Sequence, residues 1–142
     1  MSSAYQRCYV FVQDLAQKVH NLNSDALWVA LTNTAPTSAT TTYTGLPGEV
    51  ANGGGYTTGG MAVAGTISAT QSAGTLHYKT TANTVFTATT GFGPFRYALL
   101  YNNTAAGKNA IGYYDYGSAV TLAAAETFTL DLTTNTDILT IT

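Results

Sequence analysis

The sequence predicts an all-β protein: an antiparallel β-sandwich, with the jelly roll among the arrangements it admits, carrying one N-terminal amphipathic helix. Three observations lead there. Only one segment, near the N-terminus, repeats its apolar residues at helical spacing. The rest breaks into short runs that alternate apolar and polar residues between Gly, Pro and Asn turns. Thr is the commonest residue and 10 Tyr stand against 5 Phe, a β-branched and aromatic bias that suits a pleated, half-buried surface.

The helix is expected over about residues 4–20. Across residues 5–19 the apolar positions Tyr5, Cys8, Tyr9, Val12, Leu15, Ala16 and Val19 recur at three- and four-residue steps, with Gln6, Gln13, Asp14, Gln17 and Lys18 mostly opposite. Ser3 and Gln6 fit a capping box, Asp14 and Lys18 a one-turn ion pair, and His20 the C-terminal dipole. The stripe predicts a helix anchored to the β core, with Val12 buried. Residues 26–31, Ala-Leu-Trp-Val-Ala-Leu, are apolar on both faces and short, which predicts a strand covered by a sheet layer on one side and by the helix on the other, with Trp28 in the core.

Residues 33–60 form a Thr-, Ser-, Gly- and Pro-rich loop. Its small apolar content predicts mobility in the isolated chain and ordering by contact with a neighbour. Alternation then predicts strands at 61–67, 75–79, 84–89, 95–101, 110–116, 127–132 and 138–141, with Phe128, Leu130 and Leu132 facing inward. Turns are expected at 91–94, 102–107 and 133–137.

Charged residues make up 8% of the chain, where a lone soluble domain carries about a quarter. Such a surface is suited to being covered by neighbours. With 142 residues and 45% hydrophobic residues, one domain over 1–142 with a substantial core is expected. A net charge of -2 gives no basic footprint, so no nucleic-acid partner is expected. No apolar run approaches the ~20 residues of a membrane helix, and no basic start leads into an apolar h-region. A soluble protein with no membrane partner and no Sec-type export is the expectation. Cys8 is the only cysteine, which excludes an intrachain disulfide and a thiolate metal cluster and leaves the compartment reducing or its redox state immaterial.

Catalytic candidates are few. His20 and His77 have no acid at metal-ligand spacing, and Cys8 reads as a small core residue. Gly53-Gly54-Gly55 lacks the GK[ST] ending of a phosphate loop, and Asn102-Asn103-Thr104 reads as a turn. No catalytic residue, cofactor or metal is expected. The aromatic run Tyr113-Tyr114-Asp115-Tyr116 is different. A strand puts Tyr113 on one face and Tyr114 and Tyr116 on the other, offering phenols that pack and still hydrogen-bond at their tips. With Tyr43 and Tyr56 in the loop, these five are the candidate interface residues. Closure of the sandwich edge is an equal reading, and a sugar-stacking platform a third, supported only by Asp115.

Residues 12–22 (Val-Gln-Asp-Leu-Ala-Gln-Lys-Val-His-Asn-Leu), 27–36 (Leu-Trp-Val-Ala-Leu-Thr-Asn-Thr-Ala-Pro), 93–104 (Gly-Pro-Phe-Arg-Tyr-Ala-Leu-Leu-Tyr-Asn-Asn-Thr) and 111–117 (Ile-Gly-Tyr-Tyr-Asp-Tyr-Gly) together resemble small virion structural proteins of tailed bacteriophages, over most of the chain. The resemblance implies a non-enzymatic role in the virion: a decoration (cement) protein on the outer capsid surface, bridging neighbouring subunits of the major capsid protein, itself a homo-oligomer such as a dimer or trimer. The alternative is a tail-associated or tail-fibre module binding a receptor or carbohydrate, although tail fibres usually show repeats or heptads and none is present. A cell-wall hydrolase would need paired carboxylates, and Glu49, Asp115, Glu126 and Asp131 show no pairing in sequence. The scarcity of ions predicts binding by apolar and hydrogen-bonded contact, only weakly sensitive to salt.

Overall fold

The structure, a computed structural model, describes residues 5–133 and 137–142. It is an all-β protein built from antiparallel sheets with one short helix. The largest sheet has five strands in the order β1 (Tyr5–Arg7), β8 (Ala110–Ala123), β7 (Gly91–Asn102), β2 (Leu27–Thr32) and β3 (Met61–Ala62). A three-stranded sheet runs β10 (Leu139–Ile141), β5 (Thr75–Thr80), β4 (Ile67–Ser72), and a two-stranded one pairs β6 (Thr84–Thr87) with β9 (Thr127–Leu130). This division of the described strands differs from the two four-stranded sheets of a jelly roll.

Both faces of the large sheet are covered, as the apolar run in β2 requires. On one side Leu27, Val29, Leu31, Leu100 and Tyr114 meet Tyr78, Phe86, Leu130 and Leu139 from the smaller sheets. On the other, Ala30, Leu99 and Tyr101 meet Cys8 and Leu46, with Val10, Trp28, Tyr43 and Tyr113 packed around them. The second cover is therefore the loop and the entry to the helix. Trp28, expected in the core, is half-buried at its margin. Each buried Leu or Phe contributes about 1.5–3 kcal/mol, so this double cover makes the central hairpin β7–β8 and β2 the most firmly held part of the fold.

The N-terminus differs most from expectation. Residues 5–7 are not helical: Tyr5, Gln6 and Arg7 pair with Tyr114, Tyr113 and Gly112 of β8. A Cβ at Gly112 would collide with the Tyr5 ring and the Gln6 carbonyl, so a glycine there lets the two strands close. Pairing with an established sheet edge outweighs helix propensity in this stretch. The helix α1 covers only Val10–Ala16, with Tyr9 as an N-cap that makes no side-chain cap bond. Gln6, of the expected capping box, lies in β1; Ser3 lies outside the described residues. The buried side chains of α1 are Phe11 and Asp14, while Val12 is 50% and Tyr9 72% exposed. The helix thus turns much of its apolar stripe to solvent, and the expectation of a buried Val12 is overturned. Asp14 does not pair with Lys18; its carboxylate accepts a hydrogen bond from Asn109 Nδ2 at 2.8 Å, and Lys18 stands at φ 62 beyond the helix end.

Residues 33–60 contain no regular strand, but they fold back on their own core. Pro36, Leu46, Val50 and Tyr56 are buried, and isolated bridges join Thr32 to Glu49 and Thr42 to Asn109. The turn expected at 91–94 lies inside β7, where the Gly93–Pro94 bond is cis and the register to β8 shifts between Phe92 and Phe95. Strand 61–67 is split into β3 and the start of β4. Leu130 and Leu132 face inward, and Phe128 is half-buried. Of the turn expected at 133–137, residues 134–136 lie outside the described residues.

Candidate interaction surface

The five candidate tyrosines part company in the fold. Tyr56 (3% exposed) and Tyr114 (6%) are core residues and unavailable to a partner. Tyr114 donates to the Ile138 carbonyl at 2.9 Å and tilts against Tyr5 with ring centres 5.8 Å apart. Tyr43, Tyr113 and Tyr116 are half-buried. Tyr43 stacks on Tyr101 at 4.4 Å and 14°, and Tyr116 meets Phe128 edge-on at 5.5 Å. The alternation expected for the run is present: Tyr113 packs with the Cys8 cluster and Tyr114 with the main core. Closing the sandwich is therefore what most of these rings do.

Tyr43 and Tyr56 converge on a residue that sequence reasoning left unassigned. Glu49 accepts from the Tyr43 hydroxyl through Oε2 at 2.9 Å, and from the Tyr56 hydroxyl and the Gly59 N–H through Oε1 at 2.9 and 2.6 Å. The Tyr56 oxygen accepts in turn from the Leu31 N–H at 3.0 Å, and Tyr101 donates to the Gly59 carbonyl at 2.7 Å. Three separated stretches of the loop are thereby clamped to β2 and β7. Burial first, then the Glu49 hydrogen bond and charge, pushes the Tyr43 phenol well above its ordinary range. Burial and the Glu49 charge raise Tyr101 to about 12.

A second buried polar cluster fastens α1 and the turn after it to the β7–β8 connection. His20 is 4% exposed; its Nδ1 faces Asn102 Nδ2 at 3.0 Å, and its Nε2 lies 3.8 Å from Asp14 Oδ2 without a hydrogen-bond partner. Asn102 also donates to Asp25 at 2.5 Å and accepts from the Thr104 and Ala105 N–H groups at 2.9 and 3.1 Å. Burial lowers the His20 pKa below its ordinary value, against the opposing pull of Asp14 and Asp25. His20 is thus a neutral structural imidazole here rather than a positive group on a helix end. Cys8 is fully buried, and desolvation raises its thiol to about 11, which leaves it without nucleophilic character.

His77 is half-exposed on β5 and contacts Asp137 through Nδ1 at 2.6 Å, with Lys79 on the other carboxylate oxygen at 3.4 Å. Arg96 and Asp115 form a bidentate pair across β7 and β8 at 2.7 and 2.9 Å, with the Arg96 guanidinium 5.2 Å from the Tyr97 ring centre. The Arg96 hydrogen bonds hold the Asp115 carboxyl below the usual range, so the single acid that could have served a sugar platform is already engaged. Among the described residues no group of three or more His, Cys, Asp or Glu side chains is placed to hold a metal ion. No described helix is long and apolar enough to cross a membrane.

What the fold does present is the outer face of α1. Tyr9 and Val12 are, with Val85 at 40%, the large hydrophobic side chains the described structure leaves exposed, and Ala16 continues the same face one turn on. No protein-family model, curated protein or solved structure matches the chain.

Proposed function

We propose that this protein is a non-enzymatic structural component of a phage particle that decorates the capsid and stabilises it by bridging neighbouring capsid subunits. The observation that carries the reading is the exposed apolar face of α1, Tyr9 and Val12, on a body whose loops and acids are engaged internally. Together with the resemblance of four segments to small tailed-phage virion proteins, it supports docking through contact area. A helix can keep Val12 in water only at a cost, and a complementary apolar site on a shell protein removes that cost.

Val12→Asp on purified protein, tested against particles stripped of it, separates docking from folding. The variant should melt within about 0.5 kcal/mol of the parent because the site is exposed, yet fail to rebind and fail to restore the temperature of genome release on heating. Unchanged rebinding removes α1 as the contact; an unchanged release temperature after stripping the parent protein removes the cementing role. Density for the chain along the tail alone would place it with receptor-binding modules instead. Moderate salt should release little of the bound protein, since few ions are available for screening.

A further inference from the structure

Among the described residues, β4 is the longest of the strands that stand outermost in a sheet. The other outer strands are short: β1 and β10 have three residues, β3 two, and β6 and β9 four, against six in β4. In β4 only Ile67 is half-buried, and the other five residues are exposed on both faces, although its neighbour β5 buries Tyr78 and Thr80. The strand overhangs the core. Edges of this kind are normally blunted by Lys, Pro, inward charges or bulges. Ile-Ser-Ala-Thr-Gln-Ser contains none of these, and its register with β5 runs unbroken from Ile67↔Thr80 to Ser72↔Thr75.

The direction of the free backbone groups follows from the hairpin. Ala73 and Gly74 have φ 49 and 83, the two positive values of a two-residue I′ turn. Such a turn makes the flanking pair Ser72–Thr75 hydrogen-bonded, and bonded pairs then recur at every second position: Thr70–His77 and Ser68–Lys79. The Thr81 N–H bond to the Thr66 carbonyl at 3.2 Å continues the same phase. Ile67, Ala69 and Gln71 therefore point their N–H and C=O groups away from β5.

We propose that β4 pairs with β4 of a second copy of this chain, antiparallel and centred on Ala69. The outward-facing residues allow that register: Ala69 sits opposite Ala69 of the second copy, Ile67 opposite its Gln71, and Ser68 opposite its Thr70. The pairing suits a second copy for two reasons. A strand without charge meets itself with no like-charge contact, and Ser and Thr hydroxyls come together as a hydrogen-bonding cross-strand pair. Two three-stranded sheets then join into one continuous sheet across a two-fold axis. The inference goes beyond the capsid reading and does not depend on what the protein decorates.

Single variants Ala69→Cys, Ser68→Cys and Thr70→Cys, oxidised mildly in the full chain, read the register directly, because Cys8 is buried and stays silent. Facing Cα atoms in a bonded pair lie about 5.5 Å apart, within disulfide reach, so Ala69→Cys should form linked dimers about tenfold faster than either neighbour. A mixture of Ser68→Cys with Thr70→Cys should cross-link faster than each alone. Ala69→Pro removes an outward N–H while leaving the β5 ladder intact, and should abolish dimers in sedimentation. Ala69→Lys should also abolish them, and an equimolar mixture with Ala69→Glu should restore them. Equal cross-linking at the three positions, or a Lys–Glu mixture no more associated than its parts, overturns the proposal; a monomer that only a foreign strand can cap would give that result.

Discussion

Glu49→Ala is the perturbation that tests most of the reasoning about the loop. It removes the acceptor of three hydrogen bonds, and their surroundings differ. The Tyr43 hydroxyl, half-exposed, turns to water at little cost. The Gly59 N–H is buried, and so is Tyr56 at 3% exposure, which still accepts from Leu31 but has no acceptor for its own proton. A buried group left unpaired costs about 1–3 kcal/mol, at the upper end where the lost partner is charged. The expected loss is therefore about 3–5 kcal/mol, or on the order of 10–15 °C in Tm for a domain of this size. Glu49→Gln distinguishes the cause. Its amide oxygen can keep both Tyr56 and Gly59 while its NH2 donates to Tyr43, now an acceptor, so it should lose less than half as much. Urea unfolding followed by Trp28 fluorescence measures both. If Glu49→Ala stayed within about 1 kcal/mol of the parent, the loop would not depend on the clamp.

Buried His20 has its folded pKa lowered from 6.5, so the unfolded chain binds its proton first. The resulting penalty on the folded state is absent above about pH 6.5 and grows as pH falls below it, by up to about 1.4 kcal/mol per unit until the lowered folded value is reached. His20→Asn should flatten that slope in urea titrations between pH 7 and 5; an unchanged slope would assign it to other groups. At Gly60, φ is +77 and a Cβ would run into the Val29 carbonyl, whereas Gly45 at φ +71 has open space around it. Gly45→Ala should cost about 1–2 kcal/mol of left-handed strain and Gly60→Ala well beyond that, measured by the same melts; equal losses would show that the β2–β3 approach is not rigid.

Much of the sheet architecture can be read directly from residue patterns, because those patterns record burial. The run 26–31 is apolar on both faces because β2 is covered on both, and Leu130 and Leu132 alternate because only one side of that stretch meets the core. The N-terminus misleads for a physical reason. Tyr5 to Val19 form a convincing stripe, yet Phe11, the one ring of the segment without a hydroxyl, lies off it, and that is the available clue. The helix buries Phe11 and Asp14 because Asn109, 95 positions along the chain, supplies the partner that makes a buried carboxylate tolerable. Glu49 left no local signature either. Its donors come from residues 43, 56 and 59, which are composition-wise ordinary loop. The division of the five tyrosines into core and surface depends on such distant partners, so chemistry alone named them without sorting them.

The scarcity of charge acquires a sharper meaning from the fold. Asp14 receives Asn109, Asp25 receives Asn102 and the Asn21 N–H, Glu126 the Ala123 N–H, Asp115 Arg96, and Asp137 His77 and Lys79. The acids act as acceptors for the chain's own donors and leave little field outside the molecule. Association without steering proceeds at about 10⁵–10⁶ M⁻¹s⁻¹, and residence then rests on contact area and on the number of simultaneous contacts. The two proposed contacts divide that work. The α1 face supplies apolar area toward a shell protein, and the β4 edge supplies backbone hydrogen bonds toward a second copy. Either alone is small, since two large side chains and six edge residues bury well under the ~800 Å² per partner of a stable interface. Joined in one assembly, the second contact forms intramolecularly once the first is made, and its effective concentration replaces the missing charge as the source of affinity.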